Sequence, residues 1–285
     1  SIEGVTFGAG MRSRHSKTHI NTTMIMVHLV DWLGRVVTED LASPLIQVQS
    51  VVRAYFGWNY DDDFSSANKM GALFSKQSPY GVEKWSTKTR VTNKNNLQKA
   101  LTESERVIIV GASITEVELS TIDLENCVII AADGSVGAVA NHHNLACIVT
   151  DFDGNPHLDA VAKCGVLFVA HAHGDNQQRW EKTLKKWSRY SNPPNLILTH
   201  QVDQSINGIE NYGGFTDGDR AVCLAIGLGV KSENITLLGF STGKIGKWSG
   251  ATNIEQKLMK LEWMYQIIEM VGLENQVDVS ASSTL

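Results

Sequence analysis

Six short runs of β-branched and apolar residues dominate the second part of this chain: VIIVG (107–111), CVIIAAD (127–133), ACIVTD (146–151), VLFVA (166–170), NLILTH (195–200) and ITLLGF (235–240). Each is nearly continuous in apolar character rather than alternating, so each is a strand buried on both faces. Between them lie helix-length segments, including GSVGAVANHH, NQQRWEKTLKKWSRY and TDGDRAVCLAIGLG. Buried strands alternating with helices predict an open, mostly parallel α/β sheet of the Rossmann-like kind, with helices on both faces. Ligands of such sheets gather outside the carboxyl ends of the strands.

The rest of the chain has a different texture. The expected organisation is an N-terminal extension over 1–23, a smaller helical cap region over 24–105, the α/β domain over 106–275 and a frayed tail over 276–285. LIQVQSVVRAYF and FSSANKMGALF read as helices of the cap, the second opened by Asp61, Asp62 and Asp63, which complement a helix dipole. IEQKLMKLEWMYQIIEMV reads as an amphipathic closing helix. Residues 1–23 carry a basic cluster, but Asp31 and Arg35 interrupt the apolar run after it, so the reading is an extension or misplaced start rather than an export signal.

Composition narrows the class of function. With 25 basic and 30 acidic side chains the formal charge is −5, which argues against a nucleic-acid partner. No run approaches eighteen apolar residues, so no membrane span is expected. Cys127, Cys147, Cys164 and Cys223 form no CxxC pair and read as reduced thiols of a cytoplasmic protein. The reading leaves room for a homo-oligomer.

Polar residues follow the strand ends in succession: Ser113, Asp133, Asp151 with Asp153, His171 with His173, Asp175 and Asn176, then His200 with Gln201, and Ser241 with Lys244. One such residue is an ordinary turn or cap; six exits on one edge mark a site. Asp151 and Asp153, two apart on an extended segment, are expected to project to the same side and to share a hard cation such as Mg²⁺. His171, His173 and Asp175 admit a transition metal instead, but their spacing is unspecific. In NYGGFTDGDRA (211–221), Gly213 and Gly214 permit positive φ, Thr216 or Asp217 caps a helix, and Arg220 in its first turn suggests an anionic partner such as phosphate, or a pair with Asp217. GxGxxG, Walker A and GxSxG patterns are absent.

Taken in order, IVTDFDG (148–154), HAHGDN (171–176), Gln201, GGFTDGDRA (213–221) and GFSTGKIGKWS (239–249) resemble the archaeal 6-hydroxymethyl-7,8-dihydropterin pyrophosphokinases, the MptE-like family, over roughly 107–268. The stretch YFGWNYDDDFSSANKMGALF (55–74) resembles that family's N-terminal region, and the Asp-Phe-Asp element also resembles the thiamine pyrophosphokinases. The resemblance implies transfer of a diphosphate from ATP to a small heterocyclic alcohol, with release of AMP. It implies Mg²⁺ on Asp151, Asp153 and Asp175, and nucleotide or phosphate contacts from Gly213, Gly214, Arg220 and Lys244. Asp133, Asn176 and Gln201 would serve ring or ribose binding, and Asp217 or His173 would orient or deprotonate the hydroxyl. Phe215 or Tyr212 would cover the acceptor ring. His200 departs from the threonine expected before the glutamine. Thiamine as acceptor, a glycosyltransferase using Asp151-Phe152-Asp153 as a DxD motif, and a non-catalytic nucleotide-binding module are the alternatives.

Overall fold

The computed structural model describes residues 42–250 and 253–280. The expected extension over 1–23 and the opening of the cap region, 24–41, lie outside the described residues. Three helices come first: α1 (Ala42–Phe56), α2 (Tyr60–Phe74) and α3 (Thr87–Glu103). Asn59 caps α2 by accepting the Asp61 N–H at 3.0 Å. A succession of strands and helices follows: β1 (Val107–Val110), α4 (Glu116–Ser120), β2 (Val128–Ala132), α5 (Val136–Val139), β3 (Leu145–Thr150), α6 (His157–Ala162), β4 (Leu167–Ala172), α7 (Gln177–Trp187), β5 (Asn195–His200), α8 (Asp217–Gly227), β6 (Ile235–Leu238) and α9 (Ile254–Met270).

The six strands form one sheet in the order β5-β4-β3-β2-β1-β6, and every pairing is parallel. The chain therefore lays down β1 to β5 in one direction and then returns across the whole sheet to place β6 beyond β1. Alternate residues serve opposite faces. Ile108, Val110, Ile129, Ala131, Ile148, Phe168, Ala170, Leu196 and Leu198 join one core with Met70 and Phe74 of α2 and with Trp180, Leu184 and Trp187 of α7. On the opposite face α8 packs on β1, β2 and β3, α3 on β3 and β5, and α9 covers α8 together with α1. The returning crossover is thus what encloses the second face, as expected for strands apolar on both sides.

Two local expectations change. The segment 134–143 has room for a longer helix, yet only Val136–Val139 is α-helical, because the Asp133–Ser135 turn takes up the strand exit. Val277–Ser280, expected to fray, is held: the Asp278 N–H donates to the Phe240 carbonyl at 2.9 Å and its carbonyl accepts the Thr242 N–H at 3.0 Å. Cys127, Cys147 and Cys223 are buried free thiols, whereas Cys164 is exposed. Among the described residues no helix is long and apolar enough to cross a membrane.

Candidate active site

Four carboxylates converge at the carboxyl edge of the sheet: Asp133 after β2, Asp151 and Asp153 after β3, and Asp217 in the first turn of α8. One oxygen from each lies within 4.8 Å of those of the others. Asp151 and Asp153 meet by a different route from the one their spacing suggests. The segment is not extended, since Phe152 between them is left-handed (φ 75°) and buries its ring against Trp187 at 5.7 Å. Asp133 is left-handed too (φ 49°). Thr150 fastens both turns, donating to Asp133 and accepting the Phe152 N–H at 2.7 Å. Asp217 accepts the Asp151 N–H at 3.3 Å. A side chain on Gly154 would collide with the Asp133 carboxylate, and one on Gly250 would sit 2.7 Å from that of Asp153, so glycine at both positions gives the cluster room.

Such a cluster repels itself. Burial, reinforced by the charges of Asp217, Asp153 and Asp151, pushes the Asp133 carboxyl well above the usual carboxylate range. Burial, with Asp151 beside it, pushes Asp217 up to about 8. Asp151 goes the other way: burial opposes its ionisation, but the His173 hydrogen bond at 3.3 Å and the charges of His173, Arg220 and Arg179 outweigh it and hold the carboxyl low. Its Oδ1 is buried with no hydrogen-bond partner and stands 3.6 Å from Arg179 Nη1. An all-oxygen donor set, mutual repulsion and a buried oxygen without a hydrogen bond together fit a hard divalent cation.

Around the cluster runs a cleft walled by Trp58, the turn Gly111–Ser113, the start of α8 from Phe215 to Gly218, the loop from Gly239 to Gly250, and Lys257, Lys260, Leu261 and Met264 of α9. His173, Asp175, Gln201, Arg220 and Lys244 also border it. Asp175, expected beside Asp151 and Asp153, stands outside the group of four, and Asp133 and Asp217 complete it instead. His171 is buried, bonded to Thr199 Oγ1 at 3.0 Å and Gln201 Oε1 at 3.3 Å, and belongs to no metal-binding group among the described residues. Burial, aided by Arg220 and His173, lowers its pKa and keeps its ring neutral.

Several other expected contacts are engaged inside the protein. Gly213 (φ 89°) and Gly214 (φ 81°) do need positive φ, but their missing side chains admit the Leu45 carbonyl and the Arg220 backbone rather than a ligand, and neither borders the cleft. Thr216 caps α8 in a capping box with Asp219, which accepts from the Thr216 hydroxyl at 2.7 Å. Arg220 is buried and donates to Asp217 at 3.1 Å and to Gln201 at 2.8 Å, leaving its Nε without a partner. Asn176 is fully buried, donating to the carbonyls of Asp151 and His171 and accepting the His173 N–H, so it shapes two strand exits and has no group left for a ring or ribose. Lys244 pairs with Asp278 at 3.1 Å on the rim. Tyr212 packs against Gly227, away from the cleft. His200 also lies away from it, buried with its Nδ1 accepting the Val202 N–H at 3.2 Å, so the histidine replaces no ligand contact.

The sequence reading missed a buried relay and a cationic wall. Asp63 accepts from Arg53 Nε at 2.9 Å, Gln201 Nε2 at 2.8 Å and the Gly174 N–H at 2.8 Å. Through Gln201 it reaches Arg220 and Asp217, so α1 and α2 take part in the site. Lys257, Lys260, Leu261 and Met264 recur at i, i+3, i+4 and i+7, one face of α9, and that spacing is the signal that could have revealed them.

The sequence matches the family described as 6-hydroxymethylpterin diphosphokinase MptE-like over residues 83–245. It is 31% identical over 221 residues to the 6-hydroxymethyl-7,8-dihydropterin pyrophosphokinase of Pyrococcus furiosus, covering 75% of this chain and 86% of that one. To the protein of the same name from Methanocaldococcus jannaschii it is 28% identical over 247 residues, 79% of this chain and 92% of that one. The corresponding protein of Methanothermobacter thermautotrophicus is 33% identical over 165 residues, 54% of this chain and 66% of its own length. With more than half of its length matched and its strand-exit motifs inside that match, the chain belongs to the MptE-like 6-hydroxymethylpterin diphosphokinase family.

Proposed function

We propose that the chain transfers a diphosphate from ATP to the hydroxymethyl group of 6-hydroxymethyl-7,8-dihydropterin, with Mg²⁺ as the metal and AMP as the second product. The four-carboxylate cluster carries the reading, because binding alone does not require so many converging negative charges. Asp133, Asp151, Asp153 and Asp217 would hold the cation. When bound, Mg²⁺ neutralises charge on the polyphosphate oxygens.

The chain's own residues do the rest by positioning. Arg220 and the first backbone N–H groups of α8, which border the cleft, would bind polyphosphate oxygens. The hydroxymethyl oxygen forms a bond to the β-phosphorus, and the bond from that phosphorus to the α–β bridging oxygen breaks. The leaving electrons stay on AMP. The hydroxyl proton goes to Asp217 or His173, each hydrogen-bonded to Asp151. Phe215 and Trp58 supply flat apolar surface for the acceptor ring. The buried free thiols Cys127, Cys147 and Cys223 support a reducing, cytoplasmic setting.

Incubating the full chain with ATP, Mg²⁺ and the pterin alcohol, beside a parallel reaction with thiamine, should produce the pterin diphosphate and one AMP per turnover. Efficient thiamine turnover with an inert pterin defeats the acceptor assignment, and ADP as product defeats the reaction class. Arg220→Ala should weaken ATP binding by about ten- to a hundredfold, the cost of one charge-assisted hydrogen bond. Unchanged ATP affinity by calorimetry would reduce Arg220 to a structural partner of Asp217 and Gln201.

A further inference from the structure

Where Trp58, Phe215 and α9 border the cleft, three aromatic rings and one ammonium group make a compact assembly. Phe56 stacks on Trp58 with centroids 4.7 Å apart and planes 15° from parallel, and Phe215 lies 5.7 Å from both. The Lys260 Nζ stands 5.1 Å from the Trp58 centroid and 5.8 Å from that of Phe215. No carboxylate of a described residue lies within ion-pair distance of it; its Nζ is set over aromatic rings.

An aromatic face in a binding cleft can seat a cation, because the ring quadrupole attracts positive charge. Here one seat is taken twice over. Phe56 covers one side of Trp58, and Lys260 brings its charge to Trp58 and Phe215 at once. A ligand bearing a fixed positive charge would have to displace that ammonium or stack within its repulsive field. A flat uncharged heterocycle with carbonyl or ring-nitrogen acceptors meets no such penalty, and gains a hydrogen-bond donor from the ammonium.

We infer that Lys260 sets the charge class of the acceptor, admitting uncharged heterocyclic alcohols and excluding cationic ones by occupying the cation seat on Trp58 and Phe215. The inference rests on the reading of this cleft as a diphosphotransfer site. It deepens that reading by naming the residue that separates a pterin from thiamine, whose thiazolium carries a permanent charge.

The test compares two ligands of one shape: thiamine, and its isostere in which an uncharged ring replaces the thiazolium. Binding of each to the full chain, with Mg²⁺ and a non-hydrolysable ATP analogue, is measured by calorimetry. The unsubstituted protein should bind the uncharged isostere more tightly than thiamine. In Lys260→Met, which keeps the aliphatic stem, the gap should close by about two- to thirtyfold, the range a cation on an aromatic face is worth. Lys260→Arg, which restores the charge, should reopen it. A thermal melt establishes that both variants fold. Equal binding of the two ligands to the unsubstituted protein, no binding of either, or a gap that survives Lys260→Met overturns the inference. If the gap follows Lys260 while the pterin is not converted, the acceptor in the proposed reaction is wrong, and the charge selection stands for another uncharged alcohol.

Discussion

Asp151→Asn and Asp153→Asn are each expected to lower turnover by about a hundred- to a thousandfold, the scale of losing one preorganised electrostatic contact at a reacting centre, and to leave the protein folded. Both changes are nearly isosteric, and each removes one carboxylate from four that crowd within 4.8 Å. Asp151→Asn also gives up the ion pairs with His173 and Arg179, so without metal it should melt below the parent protein, whereas Asp153→Asn should melt at or above it. With Mg²⁺ the Asp153 variant should fall below the parent, because ligand binding stabilises only the state that binds it.

The pH dependence follows from the same crowding. Asp217 titrates near 8 and Asp133 is also raised, so between the usual carboxylate range and about pH 8 the native state holds protons that the unfolded chain has released. Metal-free stability should fall as pH rises through that window. Asp151 has the opposite shift, and its contribution is lost only as pH falls below the usual carboxylate range, so it does not blur the effect. Since a cation replaces those protons, the rise in melting temperature on adding Mg²⁺ should be larger at pH 8 than at pH 6. Near-normal turnover of both variants, or a Mg²⁺ effect that shrinks toward pH 8, would remove the metal from this cluster.

The second large effect lies outside the cleft. Asp63→Ala should destabilise the protein by about 3–5 kcal/mol, the cost of stripping a buried ion pair of one partner. Arg53 and Asp63 are both nearly inaccessible, and the lost carboxylate also served Gln201 and the Gly174 N–H. Against a total stability of about 5–15 kcal/mol for a folded domain, the shift in urea midpoint should be unmistakable. Asp63→Asn, which keeps two polar atoms in place, should lose less. Replacing the pair together, Arg53→Met with Asp63→Leu, should recover stability without recovering turnover. Packing can substitute for the ion pair, but it cannot hold Gln201 against Arg220 or Gly174 beside His173. An Asp63→Ala protein with an unchanged midpoint would show that the pair adds nothing.

The strands were legible because burial on both faces leaves a continuous apolar run, a signal contained in four to six consecutive residues. The cap of α8 was legible as Thr216 or Asp217, a local signal, and the structure selects Thr216 with Asp219 three residues on. Helix α3 was less so, since only Arg90, Leu97 and Leu101 of its seventeen residues are buried and it carries almost no apolar stripe. The strand-exit aspartates announced a site in the sequence, but its membership did not follow from spacing. Asp217 stands 66 residues from Asp151, and the two meet because the chain returns from β5 across the sheet and sets the start of α8 over the exits of β2 and β3. Asp175, only 24 positions beyond Asp151, stays outside the cluster. The double glycine points the same way: its positive φ was predictable from composition, whereas the space it opens is filled by Leu45 and Arg220, neighbours that only packing selects. Local pattern determined the elements and the edge on which chemistry is placed. Which carboxylates meet, which arginine is already paired and which lysine faces the aromatic rings were decided by contacts between residues distant in sequence, because charge and close packing act through space, not along the chain.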